Sequence, residues 1–261
     1  MTSTGTQTGL TTIIPTNPAG TTSVITFVIP SSSSTSTSTS SSSCTIPTAS
    51  CTPELLWTYY GLAQAPTETA SSSGNIPFHG NGADGQANWK MTYFNINTVL
   101  SGQNPDNTGR TTTIGLAQQC ITTTRTVYGT TTSGQSQFMI VQHIGYFHPV
   151  TSGTYTFSFS NVDDGVYLWL GNNAKTGFTN ANVNKNVDYY VTNSAGTYTF
   201  TATAGQYYPI RLLFFNAQQC GSFTFSLTDQ AGGVVVSNSQ AVGDRLVASC
   251  PNDSNAAPFG F

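Results

Sequence analysis

The stretch Thr154-Tyr155-Thr156-Phe157-Ser158-Phe159 puts three aromatic rings on one side of an extended chain and three hydroxyls on the other. Only a half-buried β-strand sorts side chains with a period of two. The phrase Gly153-Thr154-Tyr155-Thr156-Phe157 returns as Gly196-Thr197-Tyr198-Thr199-Phe200, a local echo without a solenoid period. Related alternation runs through Trp89 to Phe94, Phe138 to Phe147, Val166 to Leu170, Tyr208 to Phe215 and Phe223 to Leu227. No window sustains a 3.6-residue period, although Pro53 to Ala63 resembles the start of a short helical turn. The pattern predicts an all-β chain built as an antiparallel β-sandwich or barrel-like roll.

Composition narrows what such a sandwich can bind. Only 17 of 261 residues are charged, the formal net charge is -3, and 44 Thr with 29 Ser supply the polarity. No basic field exists to hold a phosphate backbone, so a nucleic-acid partner is not expected. No apolar run reaches the ~18 residues of a spanning helix, so no membrane insertion is expected.

Charge is also unevenly placed. Residues 1–53 contain no Asp, Glu, Lys or Arg, and Ser31 to Ser43 is an unbroken Ser/Thr tract. Such a tract cannot bury enough apolar surface to offset chain entropy, so residues 1–50 are predicted to be a disordered stalk or repeat remnant of the O-glycosylated kind. Within it, Val24-Ile25-Thr26-Phe27-Val28-Ile29 is a strand of a truncated repeat or a segment for self-association between chains. The residues after Met1 do not form a secretory signal, and Pro251 to Phe261 lacks the tail of a lipid-anchor signal, so the chain is expected to be an excised fragment. Residues 51–255 are expected to form the packed domain, with 256–261 as a tail.

Five cysteines, Cys44, Cys51, Cys120, Cys220 and Cys250, point to disulfides and an extracellular setting. Cys44 or Cys51 with Cys250, and Cys120 with Cys220, are the candidate pairs; spacing does not choose between them. With no Cys-x-x-Cys, a structural zinc site has little support. One glycan acceptor, Asn252-Asp253-Ser254, lies outside the expected core.

The segment Asn161-Val162-Asp163-Asp164-Gly165-Val166-Tyr167-Leu168-Trp169-Leu170 sets two like charges in a tight connection between apolar strands. Asp-Gly alone is a turn signal. A Ca²⁺ site is the alternative, because a hard cation takes carboxylate, amide and carbonyl oxygens at such a turn and relieves the repulsion. Neighbouring side chains of an extended trans chain face opposite ways, so both carboxylates reach one ion only if the backbone is distorted, for instance by a cis Asp163–Asp164 peptide.

The glycine-aromatic strand, the Asp-Asp-Gly turn and the apolar-Trp strand together resemble the PA14 superfamily. Trp169-Leu170-Gly171-Asn172-Asn173-Ala174 and Pro209-Ile210-Arg211-Leu212-Leu213-Phe214-Phe215-Asn216-Ala217-Gln218 are similar to its fungal GLEYA branch of flocculins and epithelial adhesins. Glu54-Leu55-Leu56-Trp57-Thr58 is a degenerate form of the pentapeptide that names the branch. A Ser/Thr stalk ahead of the domain further resembles fission-yeast-type cell agglutination proteins. The resemblance implies a Ca²⁺ cofactor on cis-linked Asp163 and Asp164, on Asn216, and on main-chain carbonyls of Gln218 and Cys220. It implies that the ion takes hydroxyls of a terminal hexose of a cell-surface glycan (mannose, galactose or another), with Ala217, Gln218 and Gln219 setting the choice.

Trp89 and Trp169 are candidates to stack on the sugar's apolar face, or else core residues. The loop His79 to Gly85 is a possible pocket rim. Enzymatic chemistry finds no support: glycosidase carboxyls stand ~5–9.5 Å apart across the scissile bond, whereas Asp163 and Asp164 are neighbours. His143 and His148 are five apart on a predicted strand and face opposite ways, and neither Gly-x-Ser-x-Gly nor His-Glu-x-x-His occurs. The expected function is a cell-surface or cell-wall adhesin mediating agglutination or flocculation; the alternative is a non-lectin adhesion or structural wall domain of the same fold.

Overall fold

The computed structural model describes residues 51, 53–62, 96–120, 124–132, 138–189, 192–216, 220–240, 243, 245–251 and 253–259. The stalk, Cys44, the predicted strand Trp89 to Phe94, the loop His79 to Gly85, and the segment Ala217, Gln218, Gln219 lie outside the described residues. All described residues belong to one unit, Ile46–Phe261. In chain order they form β1 (Leu55–Gly61), α1 (Ile96–Leu100), β2 (Asn107–Thr111), β3 (Gly115–Cys120), β4 (Thr126–Val127) and β5 (Thr130–Thr131). Then come β6 (Met139–Phe147), β7 (Gly153–Asp163), β8 (Gly165–Leu170), α2 (Asn172–Lys175), β9 (Lys185–Asp188) and β10 (Gly196–Ala202). The last strands are β11 (Tyr208–Asn216), β12 (Cys220–Thr228), β13 (Val234–Ser237) and β14 (Leu246–Val247).

Two large antiparallel sheets result, beside the small two-stranded pair β4–β5. One runs β2-β1-β6-β11-β8-β9 with β14 also on β6; the other runs β10-β7-β12-β13 with β3 also on β12. Alternation decides which face meets the partner sheet. Tyr155, Phe157 and Phe159 of β7 and Phe223, Phe225 and Leu227 of β12 share one buried cluster with Ile210, Leu212 and Phe214 of β11 and Val166 and Leu168 of β8. Rings meet across the sheets: Phe214 stacks on Phe223 with centroids 5.1 Å apart, and Phe147 meets Tyr155 at 4.8 Å. The all-β antiparallel sandwich predicted from alternation is the fold observed.

β6 breaks the alternation, because every residue from Met139 to Phe147 is buried. It sits between β1 and β11 and is covered on both faces. A second cluster on the outer side of the large sheet explains this, with Tyr60, Ile140, Tyr167, Trp169, Leu213 and Phe215 under Ile96, Val99 and Ala174. Arg211 is fully buried there, donating from Nε to the Ala174 carbonyl at 2.7 Å and from Nη1 to Gln142 Oε1 at 2.6 Å, with its guanidinium 4.0 Å from the Phe178 centroid. At the chain's end Phe259 packs edge-on against Tyr146 at 5.3 Å, and the Tyr146 hydroxyl donates to the Ala257 carbonyl.

One expectation is corrected here. Pro53 to Ala63 does not begin a helix: Leu55–Gly61 is a strand paired to β2 and β6. Leu55, Trp57 and Tyr59 face the inter-sheet core while Tyr60 faces the outer cluster. Burial on both faces leaves a continuous apolar run, which carries no period of two.

Disulfides join Cys51 to Cys250 and Cys120 to Cys220. The first ties the start of the domain to its end across 199 residues of sequence; the second bridges neighbours in register on β3 and β12. Both suit an oxidising compartment. Among the described residues no helix is long and apolar enough to cross a membrane.

Candidate functional site

The strand order explains how two distant sequence segments meet. β7 lies in the smaller sheet and β8 in the larger, so the chain changes sheets between Asp163 and Gly165. The chain changes sheets again between β11 and β12, across residues 217–219. Because β8 pairs with β11 and β7 pairs with β12, the two crossings sit at one end of the sandwich. Asp163 lies opposite Ser222 of β12, and the Asp164 N–H donates to the Phe215 carbonyl of β11 at 3.3 Å. The aspartate pair is thus laced to both strands flanking the second crossing.

The peptide between Asp163 and Asp164 is cis, and their side chains interact directly. Asp164 is 6% exposed and Asp163 half-buried. Burial pushes the Asp163 carboxyl above the usual carboxylate range, partly offset by its hydrogen bond with Asp164. In the ion-free protein the folded state therefore holds that proton more tightly than the unfolded chain does. The sign follows: this contribution to stability is present below the ordinary carboxylate pKa and is lost as pH rises through the raised value.

Asn216 ends β11 fully buried, on the same strand face as Phe214. Its side chain lies over Gly221: a Cβ built there would stand 2.5 Å from Asn216 Cγ and 2.7 Å from Nδ2. Gly221 is the seat that lets the amide occupy this position. Gly221→Ala is expected to displace Asn216, costing about 1–3 kcal/mol of stability for overpacking. If Asn216 holds an ion, its affinity falls ~10–100-fold, as read by calcium titration calorimetry.

Nearby, Ser222 Oγ–H donates to the Asn161 carbonyl at 3.0 Å, and Asn161 Nδ2 donates to Thr224 Oγ1 at 3.3 Å. Among the described residues no three His, Cys, Asp or Glu side chains gather in a metal-binding group. The donor set at the crossings is two carboxylates and an amide. Carboxylate and amide oxygens suit a hard cation such as Ca²⁺, and among the described residues no thiolate or imidazole joins them to favour zinc or copper.

Two neighbours escaped the sequence reading. Asp188, 1% exposed, lies opposite Gly165, and the Tyr189 N–H donates to the Asp164 carbonyl at 2.9 Å. Tyr189 is 48% exposed, an aromatic surface beside the aspartate pair. Nothing in Val187-Asp188-Tyr189 marks either residue; only the β8–β9 pairing brings them in.

Trp169 is corrected. It is fully buried in the outer cluster, stacked on Tyr167 at 5.4 Å, and its Nε1–H donates to the Thr179 carbonyl at 2.9 Å and to Asn182 Oδ1 at 3.1 Å. It has no face to offer a sugar, because the large sheet is covered on both sides. Trp89 and the carbonyl of Gln218 lie outside the described residues, whereas Cys220 opens β12 at the edge of the crossing.

The histidines have separate surroundings. His143 is buried, with Nε2 2.6 Å from the Tyr128 hydroxyl, and desolvation pushes its pKa down to about 3, so it stays neutral. His148 stacks on Tyr207 with centroids 4.4 Å apart.

The fold is an antiparallel β-sandwich whose two main sheets exchange strands at the aspartate pair. The A domain of subtype-switched Epithelial Adhesin 9 to 1 from Candida glabrata, solved in complex with β-lactose, shares the fold. Its TM-score is 0.51 at 14% identity, over 73% of this chain and 88% of that one. Residues 139–229, the stretch from β6 through β12 that carries the aspartate pair and Asn216, match the family model of the GLEYA domain.

The protein pfl4 of Schizosaccharomyces pombe, named for cell agglutination, is 32% identical over 139 residues, covering 52% of this chain and 21% of its own length. The flocculation protein FLO10 of Saccharomyces cerevisiae is 34% identical over 101 residues, covering 33% of this chain and 8% of its own. The chain thus corresponds to a small part of either relative.

Proposed function

We propose that this domain is the lectin of a cell-surface adhesin, binding terminal hexoses of glycans on neighbouring cells through Ca²⁺ and so driving agglutination. The supporting observation is the register that laces Asp163 and Asp164 to Ser222 and Phe215, on either side of the connection after Asn216. The Asp163 and Asp164 carboxylates would neutralise the ion. The Asn216 amide oxygen and the carbonyls of Gln218 and Cys220 would complete the protein's share of its ligands. A bound Ca²⁺ supplies exchangeable positions at which sugar hydroxyls replace water at little cost. Ala217, Gln218 and Gln219 would then read the hydroxyls around it, and the exposed Tyr189 ring offers an apolar face beside it. Relatives named for agglutination and flocculation and a fold neighbour solved with β-lactose support the same reading.

A glycan array in calcium, repeated with chelator, tests it. Binding to hexose-terminated glycans that vanishes with chelator is expected, and β-lactose is a first soluble competitor. Chelator-insensitive adhesion would return the domain to a non-lectin role in wall contact.

Stability should follow occupancy. An ion that binds only the folded state at 100 times its Kd adds ~2.7 kcal/mol, about 5–10 °C for a domain of this size. Because a proton on Asp163 competes with the ion, the shift should shrink on acidification and begin to do so above the range of an ordinary carboxylate. Differential scanning calorimetry at stepped pH, with and without calcium, reads both effects. A melting curve indifferent to calcium at neutral pH would contradict the site.

A further inference from the structure

Arg125 is a cation deep in the sandwich, 1% exposed. Its guanidinium carbon lies 5.9 Å from the Phe214 centroid, and Nη2 donates to the Ala117 carbonyl at 3.2 Å and the Gly221 carbonyl at 3.1 Å. Among the described residues, Nε and Nη1 have no hydrogen-bond partner. Burial lowers its pKa to about 10, so it remains charged at neutral pH. A buried guanidinium with donors unmatched among the described residues is costly.

What it holds gives the reason. β3 and β12 pair regularly at Cys120↔Cys220 and Gln119↔Gly221, then slip before Leu116↔Phe223. At this irregularity the carbonyls of Ala117 and Gly221 meet on one guanidinium nitrogen. Gly221 is also the seat of the Asn216 side chain and follows Cys220. The segment that closes the 217–219 connection is held by the Cys120–Cys220 bridge on one side and by Arg125 on the other.

We propose that Arg125 is a positioning residue for the ion and glycan site, fixing Gly221 so that the Asn216 amide and the Cys220 carbonyl keep their places. This rests on the reading that the site holds Ca²⁺. The sign of the effect separates positioning from electrostatics. A nearby positive charge by itself opposes cation binding, so Arg125→Met would strengthen binding if charge were all that mattered. If positioning matters, Arg125→Met weakens it, and so does Arg125→Lys, which keeps the charge but loses the planar fork.

The test uses Tb³⁺ as a luminescent stand-in for Ca²⁺ on the whole 261-residue chain. Affinity comes from titration and calcium competition, and the number of coordinated waters from lifetimes in H₂O and D₂O. Both variants are expected to bind about tenfold more weakly and to gain about one coordinated water as a protein ligand is lost. In the ion-free variants, amide exchange should quicken around Asn216 to Phe223 and not across β7–β10. Should Arg125→Met fail to fold, Arg125→Lys and the exchange map carry the same readouts. Wild-type affinity and hydration in the variants, or tighter binding by Arg125→Met, overturns the positioning role while leaving the site intact. A wild-type chain that binds neither Tb³⁺ nor Ca²⁺ overturns the ion site itself.

Discussion

Asp164→Asn is expected to lower calcium-dependent glycan affinity ~100-fold or more, since Ca²⁺ affinity follows ligand charge, and to leave the sandwich folded. The substitution keeps the side chain's shape and the main-chain N–H that donates to the Phe215 carbonyl. It replaces one carboxyl of the pair with an amide whose N–H can still donate to Asp163, the hydrogen bond that offsets burial of that carboxyl, so the ion-free protein should melt no lower than wild type. Sugar titration in calcium, beside a calcium-free melting curve, separates the two effects. A variant that still binds sugar in calcium as wild type does would mean that the pair is a turn and nothing more.

Trp169→Ala carries the opposite signature. It removes a fully buried indole that fills the outer cluster and strands two acceptors, the Thr179 carbonyl and Asn182 Oδ1. Large-to-small changes of this kind cost about 3–5 kcal/mol, and each lost hydrogen bond adds to that. Denaturant unfolding should show the loss, while the folded fraction keeps wild-type calcium affinity. Weakened sugar binding at undiminished stability would instead put the indole at the ligand.

Both contrasts follow from how far each feature could be read along the chain. β7 was legible because one face is buried and one solvated, so its hydroxyls and rings alternate. β1 was harder, because burial on both faces erases the period; Leu55–Gly61 then resembles any apolar run. Trp169 sits on a strand whose alternation is plain, yet whether its outer face is covered depends on α2, Phe178 and Ile96, which no local pattern joins to it.

The aspartate pair announces itself, since adjacent like charges need a reason. Asn216 does not, and its neighbourhood follows only from strand order, β8 beside β11 and β7 beside β12. Arg125 is the extreme case: one basic residue in a Thr-rich stretch, whose burial and hold on Gly221 exist only once β3 has paired with β12.

One crystal soaked with calcium and β-lactose addresses the central claim directly. The account predicts a single ion in contact with both aspartate side chains and the Asn216 amide oxygen, with two hydroxyls of one hexose completing its shell. Sugar bound elsewhere, or bound at this end of the sandwich with no ion beneath it, would contradict the account.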